Sequence, residues 1–143
     1  MKKILFIFIS FILIGALHSQ WEHLTGPQGA NIQSFGFKNQ SVIYAGSNGT
    51  GFFRSNDGGQ SWKQTNAGLT ENGKFIYSIL YLNGNIYAGT AEGVFRSSDN
   101  GNTWQNFNAG ISDYTVNSLA NSGTKIYAGT TNGVYYTTNS GVT

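Results

Sequence analysis

Cysteine is absent from the 143 residues, proline occurs once, at Pro27, and charged side chains make up only 10% of the chain. Without a thiol there is no disulfide, no Cys nucleophile and no Cys-based metal site. His18 and His23 are the only histidines, too few for a zinc centre of the usual kinds, and His23 reads as a surface residue beside the first tryptophan. No metal and no cofactor are expected. Charges of one sign do not cluster, apart from Lys2 and Lys3 at the very start. Helical periodicity is missing beyond the first nineteen residues. The fold must therefore come from burial and strand pairing alone.

Those first residues are set apart. Lys2 and Lys3 precede an apolar run from Ile4 to Leu17, and small Ser19 precedes polar Gln20. Basic start, short apolar stretch and small residue at the cut make residues 1–19 a secretory signal peptide, with cleavage at Ser19 or at Ala16. The run falls short of the roughly 20 apolar residues that span a bilayer, so no transmembrane span is expected after cleavage. The chain is expected to be exported: extracellular, at the cell surface or periplasmic. Removing Lys2 and Lys3 from the eight basic residues leaves six, against six acidic ones. A neutral mature chain carries no electrostatic footprint for nucleic acid.

Glycine (20 residues) and aromatics (15%) are abundant, and they repeat. SNDGGQSW runs from Ser55 to Trp62 and SSDNGNTW from Ser97 to Trp104; TTNSGVT begins a third copy at Thr137 and stops at Thr143, one residue before a Trp is due. Trp21, Trp62 and Trp104 are spaced by 41 and 42 residues, and Ile43, Ile86 and Ile126 of the phrase Ile-Tyr-Ala-Gly by 43 and 40. A third anchor, Ile32-x-Ser34, Ile76-x-Ser78 and Val116-x-Ser118, keeps step. A period near forty means one supersecondary unit stacked on its neighbours.

Each unit holds four short segments rich in β-branched and aromatic residues and bounded by Gly, Asn or Asp. In the second unit they fall at 76–82, 85–90, 93–98 and 103–107. Asn83-Gly84 is a hairpin signal, because both tolerate the positive φ of a tight primed turn. Four antiparallel strands per unit of about forty residues make the blade of a β-propeller. The expected fold is all-β: an orphan strand at 21–24, blades at 32–66 and 76–108, and an incomplete blade at 116–143. The orphan strand is expected to pair with a blade outside this chain. A ring needs about four to eight blades, so the pattern predicts the N-terminal part of a longer propeller, or one partner of an assembly. The remaining blades of the parent would be its first partner.

The repeated phrase straddles the turn between the third and fourth strands. Asp57 and Asp99 are placed to accept backbone N–H groups of their own turns. Gly59 and Gly101 supply a conformation that a Cβ opposes, Ser61 and Thr103 bring a hydroxyl to the loop, and Trp62 and Trp104 bury a ring between sheets. Ser55, Ser97 and Thr137 open the three copies as small residues; Asn139 replaces the acid in the third, before Gly141, and predicts a weaker turn. The repeated aromatics Tyr44, Tyr87 and Tyr127, and Phe53, Phe95 and Tyr135, read as core. Arg54 and Arg96 are expected along a blade edge or in local pairs.

SNDGGQSW and SSDNGNTW resemble the Asp-box, or BNR, repeats of sialidases. IYAGTAEGVFRSSDNGNTW is similar to repeats of xyloglucan-active glycoside hydrolases, the photosystem II assembly factor and sortilin-type ectodomains. The resemblance spans about 21–143. It implies the propeller fold and says little of function, because the box is a folding device on the face away from the usual ligand site. Sialidase chemistry would need an arginine triad, yet only Arg54 and Arg96 are present, both in repeat positions, and the Arg-Ile-Pro signature is missing. Xyloglucan hydrolysis would need two facing acids. With Asp57 and Asp99 assigned to turns, Asp113 has no visible partner, so no catalytic residue is assigned.

The loops opposite the boxes are 66–75 and 108–114 between blades, and 47–51, 90–92 and 130–133 within them. The first is the longest and departs from the repeat, which is where binding is most often grafted. Glu71, Lys74, Asp113 and Tyr114 are the candidate contacts for a protein or glycan ligand. The expected function is a secreted, non-enzymatic binding module; the alternative is the N-terminal part of a glycoside hydrolase with catalytic groups outside these residues.

Overall fold

The structure is a computed structural model that describes residues 21–111 and 115–138. The expected leader and its cut between Ala16 and Ser19 lie outside the described residues, as do Asp113, Tyr114, Asn139 and Gly141. Three antiparallel sheets follow one another along the chain. The first is β1 (Ile32–Phe37), β2 (Ile43–Ser47), β3 (Phe52–Ser55) and β4 (Lys63–Gln64), in that spatial order. The second is β5 (Ile76–Leu82), β6 (Asn85–Thr90), β7 (Gly93–Ser97) and β8 (Gln105–Asn106). The third holds β9 (Val116–Ser122), β10 (Lys125–Thr130) and β11 (Gly133–Thr137). No helix among the described residues is long and apolar enough to cross a membrane.

The Asn83-Gly84 turn joins β5 to β6 with φ of 50° and 82°, as a primed hairpin turn requires. The anchor Ile-x-Ser marks a register shift at the start of each sheet: between Ile32 and Ser34, between Ile76 and Ser78, and where Thr130 and Gly129 pair with Val116 and Ser118. The extra residue bends the strand. The same shift explains the invariant glycine of Ile-Tyr-Ala-Gly. A Cβ on Gly46 would lie 2.4 Å from Ile76 Cγ2 and 2.6 Å from Ser34 Oγ; on Gly89 it would lie 2.8 Å from Val116 Cγ1 and 2.4 Å from Ser78 Oγ. Each sheet thus presses the first residue of the next into its second strand.

The second sheet is sandwiched. Tyr44 and Phe52 of the first sheet pack against Ile76, Ile86, Phe95 and Trp104 of the second. Tyr87 and Val94, on its other face, pack against Val116, Ile126 and Ala128 of the third. Period-2 alternation sends Ile86 and Phe95 one way and Tyr87 and Val94 the other. The outer flanks have no such cover, and there Phe35 (54%), Phe37 (61%), Val134 (75%) and Tyr136 (66%) are exposed.

Two expectations differ from the structure in detail. The fourth strand of the second sheet, expected at 103–107, is only Gln105–Asn106. The backbone N–H groups on its entry side bond elsewhere: Thr103 to Asp99 Oδ1 at 2.9 Å and Trp104 to Ala67 O at 2.8 Å. Trp104 is buried as expected, but Trp62 is only half-buried, because among the described residues no sheet stands against it on its outer side. Residues 21–24 form no strand pairing with the described residues.

Candidate functional site

The two ends of the stack are chemically distinct. At one end lie the repeated turns. Ser55 Oγ donates to Asp57 Oδ1 (2.7 Å) and accepts from Gly59 N–H (2.8 Å); Ser97 Oγ does the same with Asp99 (2.8 Å) and Gly101 (2.8 Å). The same Oδ1 accepts the backbone N–H of Ser61 or Thr103, whose hydroxyl donates to Oδ2. The Ser61 hydroxyl, then its N–H, then Ser55 hold Asp57 down to a pKa of about 2. The Thr103 hydroxyl and N–H do the same for Asp99, also to about 2. Both acids stay ionised at any working pH and their oxygens are engaged inside the turn. The opening residue, expected only to be small, is the hub of the turn, and its repetition as Ser, Ser and Thr is the signal the sequence offers for that role.

A link between sheets has no signal in the repeated phrase. Tyr44 OH donates to Asn100 Oδ1 at 2.6 Å, and Arg54 Nη1 donates to Asn100 O at 2.6 Å. The first sheet thereby grips the turn of the second. Burial, with the Tyr81 hydroxyl nearby, pushes the Tyr44 phenol up to about 12, so it remains a donor. Arg96, at the same repeat position, lies over the Phe107 ring of its own sheet, 5.2 Å from the centroid. The two arginines are structural, in different ways.

At the opposite end, the connection from β4 to β5 carries a single 3-10 turn, Asn72–Lys74. Two of the four sequence-predicted contact residues meet here: Lys74 Nζ donates to Glu71 Oε1 at 2.7 Å. Glu71 is exposed and Lys74 half-buried. The structure adds Glu92 and Thr70, whose side chains are joined by a hydrogen bond from the hydroxyl to the carboxylate. The same hydroxyl accepts Gly73 N–H at 2.9 Å. The loop is stitched to its neighbours through backbone: Gly49 and Gly51 N–H both bond Lys74 O (3.2 and 3.1 Å), and Ala91 N–H bonds Phe75 O (3.1 Å). A repeated asparagine fixes each adjoining turn. Asn66 bonds Phe52 N–H (2.9 Å) and Thr50 O (2.9 Å), while Asn108 bonds Val94 N–H and Glu92 O (2.7 Å). The result is a rigid polar rim holding Glu71, Lys74 and Glu92, with Phe75 at its edge and 37% exposed. Among the described residues no group of three or more His, Asp or Glu is placed to hold a metal ion.

No protein-family model matches this sequence, and no curated protein does. Solved structures match its shape. An ancestral GH74 enzyme superposes with a TM-score of 0.69 at 19% identity, over 88% of this chain and 19% of that one. YCF48 from Cyanidioschyzon merolae gives 0.68 at 14% identity, over 87% and 42%, and another structure of YCF48 is bound to D1 peptide. The extracellular domain of BT4673 from B. thetaiotaomicron gives 0.62 at 19% identity, over 76% and 15%. The chain therefore spans less than half the length of each of these proteins. At these identities the likeness establishes the fold: the three sheets are β-propeller blades, and they form a partial ring.

Proposed function

We propose that this chain is part of an exported, non-enzymatic β-propeller that binds a protein or glycan through the rim around Glu71, Lys74 and Glu92. One observation carries the reading. Asp57 and Asp99, the acids that recur with the repeat, are held ionised near pKa 2 by their own turns, so neither is available as a general acid. Glu71 and Glu92, in contrast, sit at the loop end on a backbone fixed by cross-loop hydrogen bonds. That is the arrangement of a preorganised contact surface, with charge of both signs beside an exposed aromatic. Asp113 and Tyr114 belong to the next inter-blade loop and are proposed to extend the same rim. The likeness to an extracellular domain and to a peptide-bound propeller supports export and binding.

The test is a glycan array and a surface-protein pull-down with the full chain, repeated with Lys74→Glu. Reversal of this half-buried charge is expected to weaken binding by about fivefold, near 1 kcal/mol, with the circular dichroism spectrum unchanged. A second reading, part of a glycoside hydrolase, draws on the likeness to a GH74 enzyme. Hydrolysis of xyloglucan by the chain, abolished by Asp113→Asn, would establish that reading and overturn the first.

A further inference from the structure

Five Asn-Gly pairs occur in the sequence, at 48–49, 72–73, 83–84, 100–101 and 132–133. Asparagine followed by glycine is open to attack by its own backbone, because glycine has no Cβ to keep the next nitrogen from the side-chain amide carbon. As dipeptides the five are identical. The fold separates them by what holds the glycine nitrogen and the asparagine amide.

In three pairs the glycine nitrogen is bonded. Gly101 N–H donates to Ser97 Oγ at 2.8 Å, and Tyr44 OH fixes Asn100 Oδ1 at 2.6 Å. Gly73, which is buried, donates its N–H to Thr70 Oγ1 at 2.9 Å. Gly49 N–H donates to Lys74 O at 3.2 Å. In a fourth pair, Gly133 is the first residue of β11 and pairs with Thr130, while Asn132 N–H donates to Thr130 Oγ1 at 3.1 Å. A hydrogen bond on the nitrogen opposes loss of its proton and holds it away from the side chain.

Asn83-Gly84 differs from all four. Both residues are exposed at the tip of the β5–β6 hairpin, with φ of 50° and 82°. The strand pairing behind this two-residue turn ends with Leu82 opposite Asn85, and Gly84 N–H has no acceptor among the described residues. The Asn83 side chain makes no hydrogen bond among them either; only its backbone oxygen is engaged, by Asn85 Nδ2 at 3.2 Å. Nothing lies within 4 Å of the position a Gly84 Cβ would take, so a ring has room to close there.

We propose that Asn83 is a site of spontaneous covalent modification, converted to aspartate and isoaspartate while the fold protects the other four pairs. The Gly84 nitrogen gives up its proton to solvent base and attacks Asn83 Cγ. The new N–Cγ bond closes a cyclic imide, the Cγ–Nδ2 bond breaks, and Nδ2 takes up a proton and leaves as ammonia. One water then opens the imide. Opening at Cγ gives aspartate; opening at the backbone carbonyl gives isoaspartate, in which the main chain runs through the former side chain. One water enters, one ammonia leaves, and nothing is oxidised or reduced. Aspartate keeps the turn, since Asp-Gly also favours it, and adds a negative charge. Isoaspartate lengthens a two-residue turn by a methylene. The pairs behind it, Leu82 with Asn85 and Tyr81 with Ile86, then fall out of register, and Ile86 is fully buried between the first two blades, where a register error is costly. This inference does not rest on the ligand proposed above.

Incubation of the full chain in neutral buffer made with heavy-oxygen water, sampled by peptide mass spectrometry, tests it. In the folded chain Asn83 is expected to convert about tenfold or more faster than Asn100. In concentrated urea, where the protecting hydrogen bonds are gone, the five rates should converge. A more acidic species should accumulate on ion exchange, should be absent from Asn83→Gln, and its isoaspartyl fraction should melt below the fresh chain. The mass-spectrometric arm uses the unmodified chain and does not depend on how a variant folds. No conversion at Asn83, earlier conversion at another pair, or the same order of rates in the folded and the unfolded chain overturns the proposal.

Discussion

Trp62 and Trp104 are the same residue of the same repeat, yet they should differ sharply in what they contribute. Trp104 is buried (3% exposed) between two blades, packed on Phe52 and bonded through Nε1 to Thr65 O. A ring of this size buries about 200 Å², which at about 25 cal/mol/Å² corresponds to about 5 kcal/mol. Measured Trp→Ala costs in cores, about 3–5 kcal/mol, agree. Trp62 is half-buried, and its Nε1 bonds Gly59 O within its own turn at 3.0 Å. The same area argument gives it about 2 kcal/mol. Trp104→Ala should therefore destabilise by about 2–3 kcal/mol more than Trp62→Ala. Because total stability is only about 5–15 kcal/mol, the first variant should lose about a third of it or more. Urea denaturation followed by far-ultraviolet circular dichroism reads both. Trp104→Ala should also broaden the transition, since it uncouples blades whose stability is shared through their interfaces. Equal costs, or a larger cost at Trp62, would refute the stacked arrangement from which the numbers come.

Two further outcomes follow from the turns. Asp57 and Asp99 have folded pKa values near 2, below an unfolded value of about 3.9. Their contribution is full above about pH 4 and is lost as pH falls toward 2. Thermal melts across that window should show the fall, and the Asp57→Asn/Asp99→Asn double variant should flatten it; an unchanged slope would mean the carboxylates are not the groups titrating. Gly101→Ala and Gly84→Ala impose the same positive φ, 83° and 82°, a cost of about 1–2 kcal/mol each. Only at Gly101 does the new methyl meet a ring, 2.5 Å from Phe52 Cε1, adding about 1–3 kcal/mol of overpacking. Matching melting temperatures for the two variants would show that Phe52 does not cover the turn.

Much of this was legible because repetition converts chemistry into geometry. Three anchors at one period give stacked units, and alternating aromatic and β-branched residues bounded by glycine and asparagine give four strands in each. Asn83-Gly84 gives the hairpin, and Asp57 and Asp99 followed by Gly59 and Gly101 give the turns. Less legible were the partners that lie in another unit. Nothing in Arg54 and Arg96, identical in motif, tells that one reaches Asn100 of the next blade and the other lies over Phe107. Glu71 and Lys74 could be chosen for departing from the repeat, but Thr70 and Glu92 join them only because two loops come together.

Local physics is written along the chain: φ preferences, strand alternation, and a carboxylate within reach of its own turn depend on residues a few positions apart. The amino-acid order by itself therefore determined the blades and their turns. Whether a given side chain is core or surface depends on what stands against it. Only the stacking decided that Trp104 is enclosed while Trp62 is half-open, that Phe35 and Tyr136 face outward, and that a cavity of about 160 Å³ lies beside the third blade.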